Sequence, residues 1–300
     1  MSAKTLLKRI LRTPANALIA SSTNVWESPY LPDKFYPYKG DAKSYFLLKS
    51  GEQGRARGEF PIPPENLYFQ TFGATTEVNS GKALDDPAQY LRHGKLHIEK
   101  MKEILARSDF SIQEGNRILD FGCGAGRMIR WLDEFSDICE VWGVDISAVQ
   151  MLWCQRNLCP PFKFFTITTA PHLPFEDRYF DLIYCGSIFT HIDDLADAWL
   201  LELRRILRPG GRLYITVADK HYWDQVQKID DWLPAKWFQE VEKKEQISKL
   251  DFAMFTLGRS HRSHVFYDIE YLQRRWGCFL NVLSVTQDAY DIQTALVLER

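Results

Sequence analysis

The chain has 300 residues, 45% hydrophobic and 25% charged, the balance of an ordinary globular protein and not of a disordered or fibrous one. Thirty-seven basic against 39 acidic side chains leave a net charge of −2, which removes a global electrostatic reason to expect nucleic acid as partner. No apolar run approaches the ~20 residues that a helix needs to cross a bilayer.

Lys4, Lys8, Arg9 and Arg12 open the chain, and no acid precedes Glu27. Leu6, Leu7, Ile10 and Leu11 make one face of a short helix stopped near Pro14. Three readings compete for it: a plain arm packed on the body, a basic helix lying on a membrane surface, or an organellar transit peptide. From residue 24 to about 85, Pro, Gly, Tyr and Phe alternate with polar clusters, a texture that forbids long helices and suits a wrap held by aromatic side chains. The expected division is therefore arm and wrap over 1–85 and one main domain over 86–300, with 220–265 inserted in it.

PAQYLRHGKLHIEKMKEILARS, from residue 87, places Leu91, Ile98, Met101, Ile104 and Leu105 at helical spacing. Strands and helices then alternate. NRILDF (116–121) reads as a buried strand and GAGRMIRWLDEF (124–135) as a helix. CEVWGVDI (139–146) reads as a strand, SAVQMLWCQRN (147–157) as a helix and FKFFTIT (162–168) as a strand. YFDLIYCG (179–186), DDLADAWLLELRRIL (193–207) and GRLYITVA (211–218) follow as strand, helix and strand. This rhythm predicts a doubly wound α/β fold with right-handed crossovers and a mostly parallel sheet. Residues 219–265 break it with Tyr222, Trp223, Trp232, Trp237, Phe238, Phe252 and Phe255; YDIEYLQRRW (267–276) returns to helix, and two strands joined by a turn near Asp291 end the chain. The six cysteines, Cys123, Cys139, Cys154, Cys159, Cys185 and Cys278, form no Cys-x-x-Cys pair and read as reduced thiols in a cytoplasmic protein without a metal site.

The run LDFGCGAGR (119–127) sets Gly122, Gly124 and Gly126 between a strand and the expected helix, where the backbone turns tightly and approaches a ligand closely. Asp145 ends the next strand, placed to accept hydrogen bonds from both hydroxyls of a ribose. A dinucleotide site wants Gly-x-Gly-x-x-Gly; here the third glycine comes one residue early and Arg127 takes its place. Asp120 at the strand tip opposes a pyrophosphate and suits an ammonium group. These residues point to a nucleoside that carries a zwitterion and no phosphate, as S-adenosylmethionine does.

DFGCGAG with GVDIS, LPFEDRYFDLIYCGSIFTHI and LRRILRPGGRLYIT resembles the class I S-adenosylmethionine-dependent methyltransferases over roughly residues 115–220. The resemblance implies a seven-stranded sheet in the order 3-2-1-4-5-7-6 with its last strand antiparallel, and S-adenosylmethionine as cofactor. It implies that Asp120, Gly122, Cys123, Gly124 and Gly126 hold the methionine part, that Asp145 binds the ribose and that Ile146 packs on adenine. Cys185 and Gly186 resemble the backbone site for the cofactor's amino end. Thr169, followed by Ala170, stands where the family often has an acid on the adenine amino group, a departure that leaves this contact to a hydroxyl or to backbone. Leu173, Pro174 and Phe175 read as shaping the connection between strands.

Methyl transfer is an in-line displacement in which alignment supplies much of the rate, and a protic acceptor also needs a base. His191, after the fourth strand, is the candidate base, with a local capping role as its alternative. Tyr222, Trp223, His261 and His264 are candidate substrate contacts, with His221, Arg259 and Arg262 close to them in sequence; the inserted segment reads as a cap over the acceptor or as an extra layer of core. The expected activity is methyl transfer to an oxygen or nitrogen of a small-molecule, lipid or glycan acceptor. A catalytically silent adaptor that binds a protein partner is the competing class. Arg127 disfavours a dehydrogenase, and YCGSIF lacks an Asn-Pro-Pro-Tyr-like run that would capture a nucleic-acid base.

Overall fold

The computed structural model describes residues 60–65, 67, 87–226, 228, 253–257 and 264–300. Helix α1 (Pro87–Ala106) opens the main domain and buries Tyr90, Gly94, His97, Ile98, Met101, Ile104 and Leu105, a stripe at helical spacing. Strand β1 (Arg117–Phe121) follows, then β2 (Glu140–Asp145), α2 (Ala148–Asn157), β3 (Lys163–Thr166) and β4 (Phe180–Cys185). Helix α3 (Ala196–Ile206) leads into β5 (Leu207–Val217). Next come α4 (Lys220–Val226), β6 (Met254–Leu257), β7 (His264–Tyr267), α5 (Ile269–Trp276), β8 (Asn281–Tyr290) and β9 (Gln293–Glu299).

Seven strands form one sheet in the order β3-β2-β1-β4-β5-β9-β8. Strands β1 to β5 pair in parallel, and β9 alone runs against its neighbours β5 and β8. This is the expected topology, with the last strand of the chain reversed. Each strand feeds both faces by period-two alternation: Leu119 and Phe121 join a cluster with α3 and α5, whereas Ile118 faces α1 and α2. By that alternation Asp120 points toward the α1–α2 face.

The helix expected over 124–135 is a correction. Residues 124–128 form turns, and a 3-10 helix begins only at Ile129 and runs to Phe135. Gly124 at φ 53° and Gly126 at φ 76° lie in the left-handed region, which α-helical hydrogen bonding cannot use. Arg130 also donates Nε to the Gly126 carbonyl at 3.0 Å, satisfying it from a side chain. At the end of the segment expected to be inserted, 220–265, the described residues include an antiparallel pair, β6–β7, whose second strand runs past it to Tyr267 and meets the sheet by a parallel bridge from Phe266 to Ala218. The wrap is described only around residues 60–67. There Phe60 lies 5.5 Å from the Phe162 ring, and Gln150 donates to the Leu67 carbonyl at 3.2 Å. The basic arm lies outside the described residues.

Leu173 and Phe175 are buried, and α3 fixes their turn. Glu202 accepts from the Leu173 amide at 2.6 Å, while Arg205 donates to the Leu173 and Phe175 carbonyls at 2.9 Å and to Glu202 at 2.7 Å. Removing the guanidinium strands a buried carboxylate and two carbonyls. Arg205→Met is therefore expected to cost about 2 kcal/mol of stability, read as a lower urea midpoint with an unchanged slope.

Candidate cofactor and acceptor site

The turn after β1 is built on backbone bonds to β2. The amides of Gly122 and Cys123 both donate to the Val144 carbonyl, at 2.8 and 3.0 Å. Asp145 closes the loop from outside: Oδ2 accepts from the Gly124 amide at 2.9 Å and Oδ1 from the Ser147 amide at 2.8 Å. Each carboxylate oxygen keeps a further acceptor position. Burial raises the Asp145 pKa, against the pull of those amides.

Gly122 has φ 81°, and a Cβ there would stand 2.0 Å from Cδ1 of Ile188. Gly126 has φ 76°, and its Cβ would stand 2.2 Å from Cδ1 of Leu158. Both positions need glycine twice over, for conformation and for space. Beneath the loop, Asp120 is buried with no hydrogen-bond partner for Oδ2 among the described residues. Burial pushes its pKa up to about 7, opposed by the nearby Tyr184 hydroxyl and Arg127 guanidinium. An orphaned, buried carboxylate oxygen is a place for a cationic donor. Ile146 is 61% exposed at the rim, an apolar side chain open to a planar ring. Cys123 is buried, its Sγ 3.9 Å from the Met151 sulfur. Thr169 and Ala170 are exposed after β3, where the Ala170 amide donates to Thr168 Oγ1 at 3.0 Å.

At the end of β4, Cys185 is buried, and a Cβ on Gly186 would stand 2.6 Å from Cε2 of Tyr290. Ser187 follows at φ 59°, an unusual conformation for a residue with a side chain. Its amide donates to Thr216 Oγ1 at 2.7 Å, and its hydroxyl accepts from Gln293 Nε2 at 2.8 Å. Strands β4, β5 and β9 thus lock this turn together.

His191 ends a 3-10 turn, Phe189–His191, and is exposed. Its ring stands edge-on to His264 with centroids 6.0 Å apart. Tyr222 stacks on His264 at 5.2 Å, and Phe266 lies 4.9 Å away. Burial, aided by His191, pushes the His264 pKa down to about 3, so this imidazole is neutral at physiological pH. Trp223 is buried edge-to-face on Phe266 at 5.5 Å, a packing position. The structure thus joins His191, Tyr222 and His264, and sets His221 apart in a bond to Asp288 at 2.7 Å. Arg259, His261 and Arg262 lie outside the described residues.

Sequence reading missed a cluster over the same loop. His93 and His97, one turn apart on α1, meet Asp291 from the β8–β9 turn, with donor atoms within 4.8 Å of one another. Arg127 Nη1 lies 2.9 Å from His97 Nδ1, and His97 Nε2 lies 3.2 Å from Asp291 Oδ1. A guanidinium only donates, so His97 accepts at Nδ1 and carries its proton on Nε2, toward Asp291. With Nε2 protonated, His97 has no lone pair on the Asp291 side to offer a metal ion. The spacing of the two histidines was the available signal; Asp291 is 194 residues from His97.

The model of a methyltransferase domain family matches residues 119–215, from β1 through β5. An O-methyltransferase of Aspergillus nomiae is 35% identical over 160 residues, half of this chain (50%) and 68% of that protein. The chain belongs to the class I S-adenosylmethionine-dependent methyltransferases. A sterol 24-C-methyltransferase of Schizosaccharomyces pombe is 34% identical over 157 residues, 47% of this chain but only 40% of that enzyme. A crystal structure of a Pyrococcus horikoshii protein aligns with TM-score 0.50 and 16% identity, covering 77% of this chain and 97% of that one, a likeness of fold alone. S-adenosylmethionine is the cofactor of this family, and the Asp120 oxygen without a partner among the described residues, the open Asp145 positions and the apolar rim at Ile146 fit its ammonium, ribose and base.

Asp120 also sets a pH dependence. Its folded pKa of about 7 lies above the ordinary carboxylate value, so the folded protein holds a proton that the unfolded chain releases. The stability it contributes is full below pH ~4 and is lost as pH rises toward about 7, by a few kcal/mol at most. Asp120→Asn is expected to flatten the fall in ligand-free stability between pH 5 and pH 8 in paired urea titrations. An unchanged slope would place the carboxylate's proton elsewhere.

Proposed function

We propose that this methyltransferase moves the methyl group of S-adenosylmethionine to a neutral small-molecule or lipid acceptor at the carboxyl edge of β4 and β5. The carrying observation is the buried Asp120 oxygen, which has no hydrogen-bond partner among the described residues, beside a left-handed glycine loop. It suits the cofactor's ammonium, with the Gly122, Cys123, Gly124 and Gly126 loop and the Cys185–Gly186 backbone around the methionine part. Asp145 then takes the ribose hydroxyls, Ile146 packs against adenine, and Thr169 and Ala170 border the base. Bound S-adenosylmethionine supplies a methyl group activated by its sulfonium. The chain's own part is alignment: Ile188 presses on Gly122, and the Ser187 turn fixes the end of β4.

On the acceptor side, His191, His264 and Tyr222 form a wall of rings in which His264 stays neutral. An uncharged, largely apolar acceptor fits such a wall better than an anionic one. Relatives are named for both carbon and oxygen methylation, so the acceptor atom follows from the bound molecule's own nucleophile. No helix among the described residues is long and apolar enough to cross a membrane. The adaptor reading has no support from these relatives, which are named as enzymes.

Calorimetry tests the cofactor half. S-adenosylmethionine is expected to bind saturably, Asp145→Ala to weaken it at least tenfold, and NAD to give no heat; saturable NAD binding would sink the proposal. Tritiated methyl transfer to a probe panel of a sterol, a fatty acid and a quinol tests the other half. His191→Ala is expected to keep cofactor affinity and raise the acceptor KM several-fold. An unchanged KM would return His191 to a local packing role.

A further inference from the structure

Deepening that reading, and resting on it, we propose that His93, oriented by Asp291, is the base that takes the acceptor's proton. The loop after β1 and the β8–β9 turn converge on this histidine. Helix α1 lies directly on the loop: Tyr90 Oη donates to the Ala125 carbonyl at 3.1 Å, and a Cβ on Gly94 would stand 2.2 Å from the Arg127 carbonyl oxygen. From the other side, the Tyr290 ring abuts Gly186 at the end of β4, and the next residue is Asp291. The helix that carries His93 therefore meets one backbone segment proposed to hold the cofactor's methionine part, and Asp291 follows the residue that meets the other.

The groups facing His93 are arranged to hold a negative charge on Asp291. His97 donates to Asp291 Oδ1 and is itself bonded by Arg127, which also donates to the Tyr290 hydroxyl. Partial burial raises the Asp291 pKa, but His93, His97 and Arg127 outweigh it and hold the carboxyl far below its ordinary range. His93 Nδ1 lies 3.6 Å from the same Asp291 oxygen. His97 is 3% exposed and His93 15%, so of the two histidines on Asp291, His93 is the one with access. The 3.6 Å separation of His93 from Asp291 is an ion-pair contact and exceeds hydrogen-bond distance; a carboxylate charge on the Nδ1 side favours the tautomer with its proton there, which leaves Nε2 as the basic nitrogen. His191, by contrast, is set edge-on to another imidazole.

The step balances as follows. A lone pair on the acceptor atom forms the bond to the methyl carbon, and the carbon–sulfur bond breaks with its electrons going to sulfur. The acceptor's proton passes to His93 Nε2, and the imidazolium is held by the Asp291 carboxylate until water removes the proton. Arg127 and His97 are positioning residues that keep Asp291 ionised and aimed.

The full-length protein, labelled with 15N-histidine and saturated with S-adenosylhomocysteine, decides the arrangement by NMR. His93 should carry its proton on Nδ1 and His97 on Nε2, and Asp291→Asn should abolish the His93 preference. A proton on His93 Nε2 in the wild type, or zinc binding that shifts both histidines and raises turnover, overturns the proposal. With whichever panel acceptor is methylated, His93→Gln should lower kcat about 100-fold and Asp291→Asn about tenfold, with cofactor affinity within threefold. Undiminished kcat in His93→Gln overturns the base assignment. Absence of transfer to every probe by the wild type is instead a failure of the acceptor reading, and the tautomer pattern still decides the dyad.

Discussion

At the end of β2 a single carboxylate organises the ligand edge. Asp145 receives the Gly124 amide on one oxygen and the Ser147 amide on the other, tying the glycine loop to the start of α2. Neither amide has another partner among the described residues, so the loop's left-handed geometry depends on this bridge being made. The same carboxylate is proposed to read the ribose. Shaping the loop and binding the cofactor are thus two uses of one group, and any substitution at Asp145 disturbs both.

The sheet was legible because its inner strands are nearly continuous apolar runs set between helical patterns, as in RILDF and FDLIYC. The glycine loop was legible from the spacing of Gly122, Gly124 and Gly126 and from Asp145. The segment after it was misread because MIRWLDEF carries helical spacing, while the dihedral angles of two glycines and the Arg130 side chain withhold the first turns. The β6–β7 pair was hidden for a different reason. MFTL and HVFY are four-residue strands too short to show alternation, and they are stabilised by docking on Ala218 rather than by their own pattern.

Least legible was the network over the loop. Arg127 was read only as a residue standing where a glycine belongs in dinucleotide sites. In the fold it spans from the loop to α1 and to the β8–β9 turn, through His97 and Tyr290. Such a network is a property of tertiary placement: its members come from three elements far apart in the chain, and no local spacing joins Asp291 to His97. The ring wall of His191, Tyr222 and His264 was suggested piecemeal, each residue lying just beyond a strand of the ligand edge. What only the fold supplies is their mutual stacking, and with it the neutral state of His264.

Gly94 carries a consequence for how the domain forms. A glycine inside α1 weakens that helix by about 1 kcal/mol relative to alanine when the segment stands alone. The vacancy beside it is what lets the Arg127 carbonyl come so close. Helix α1 is therefore a poor autonomous nucleus and gains its permanence on contact with the loop. Cofactor capture, which steadies the loop, should in turn slow amide exchange along that helix.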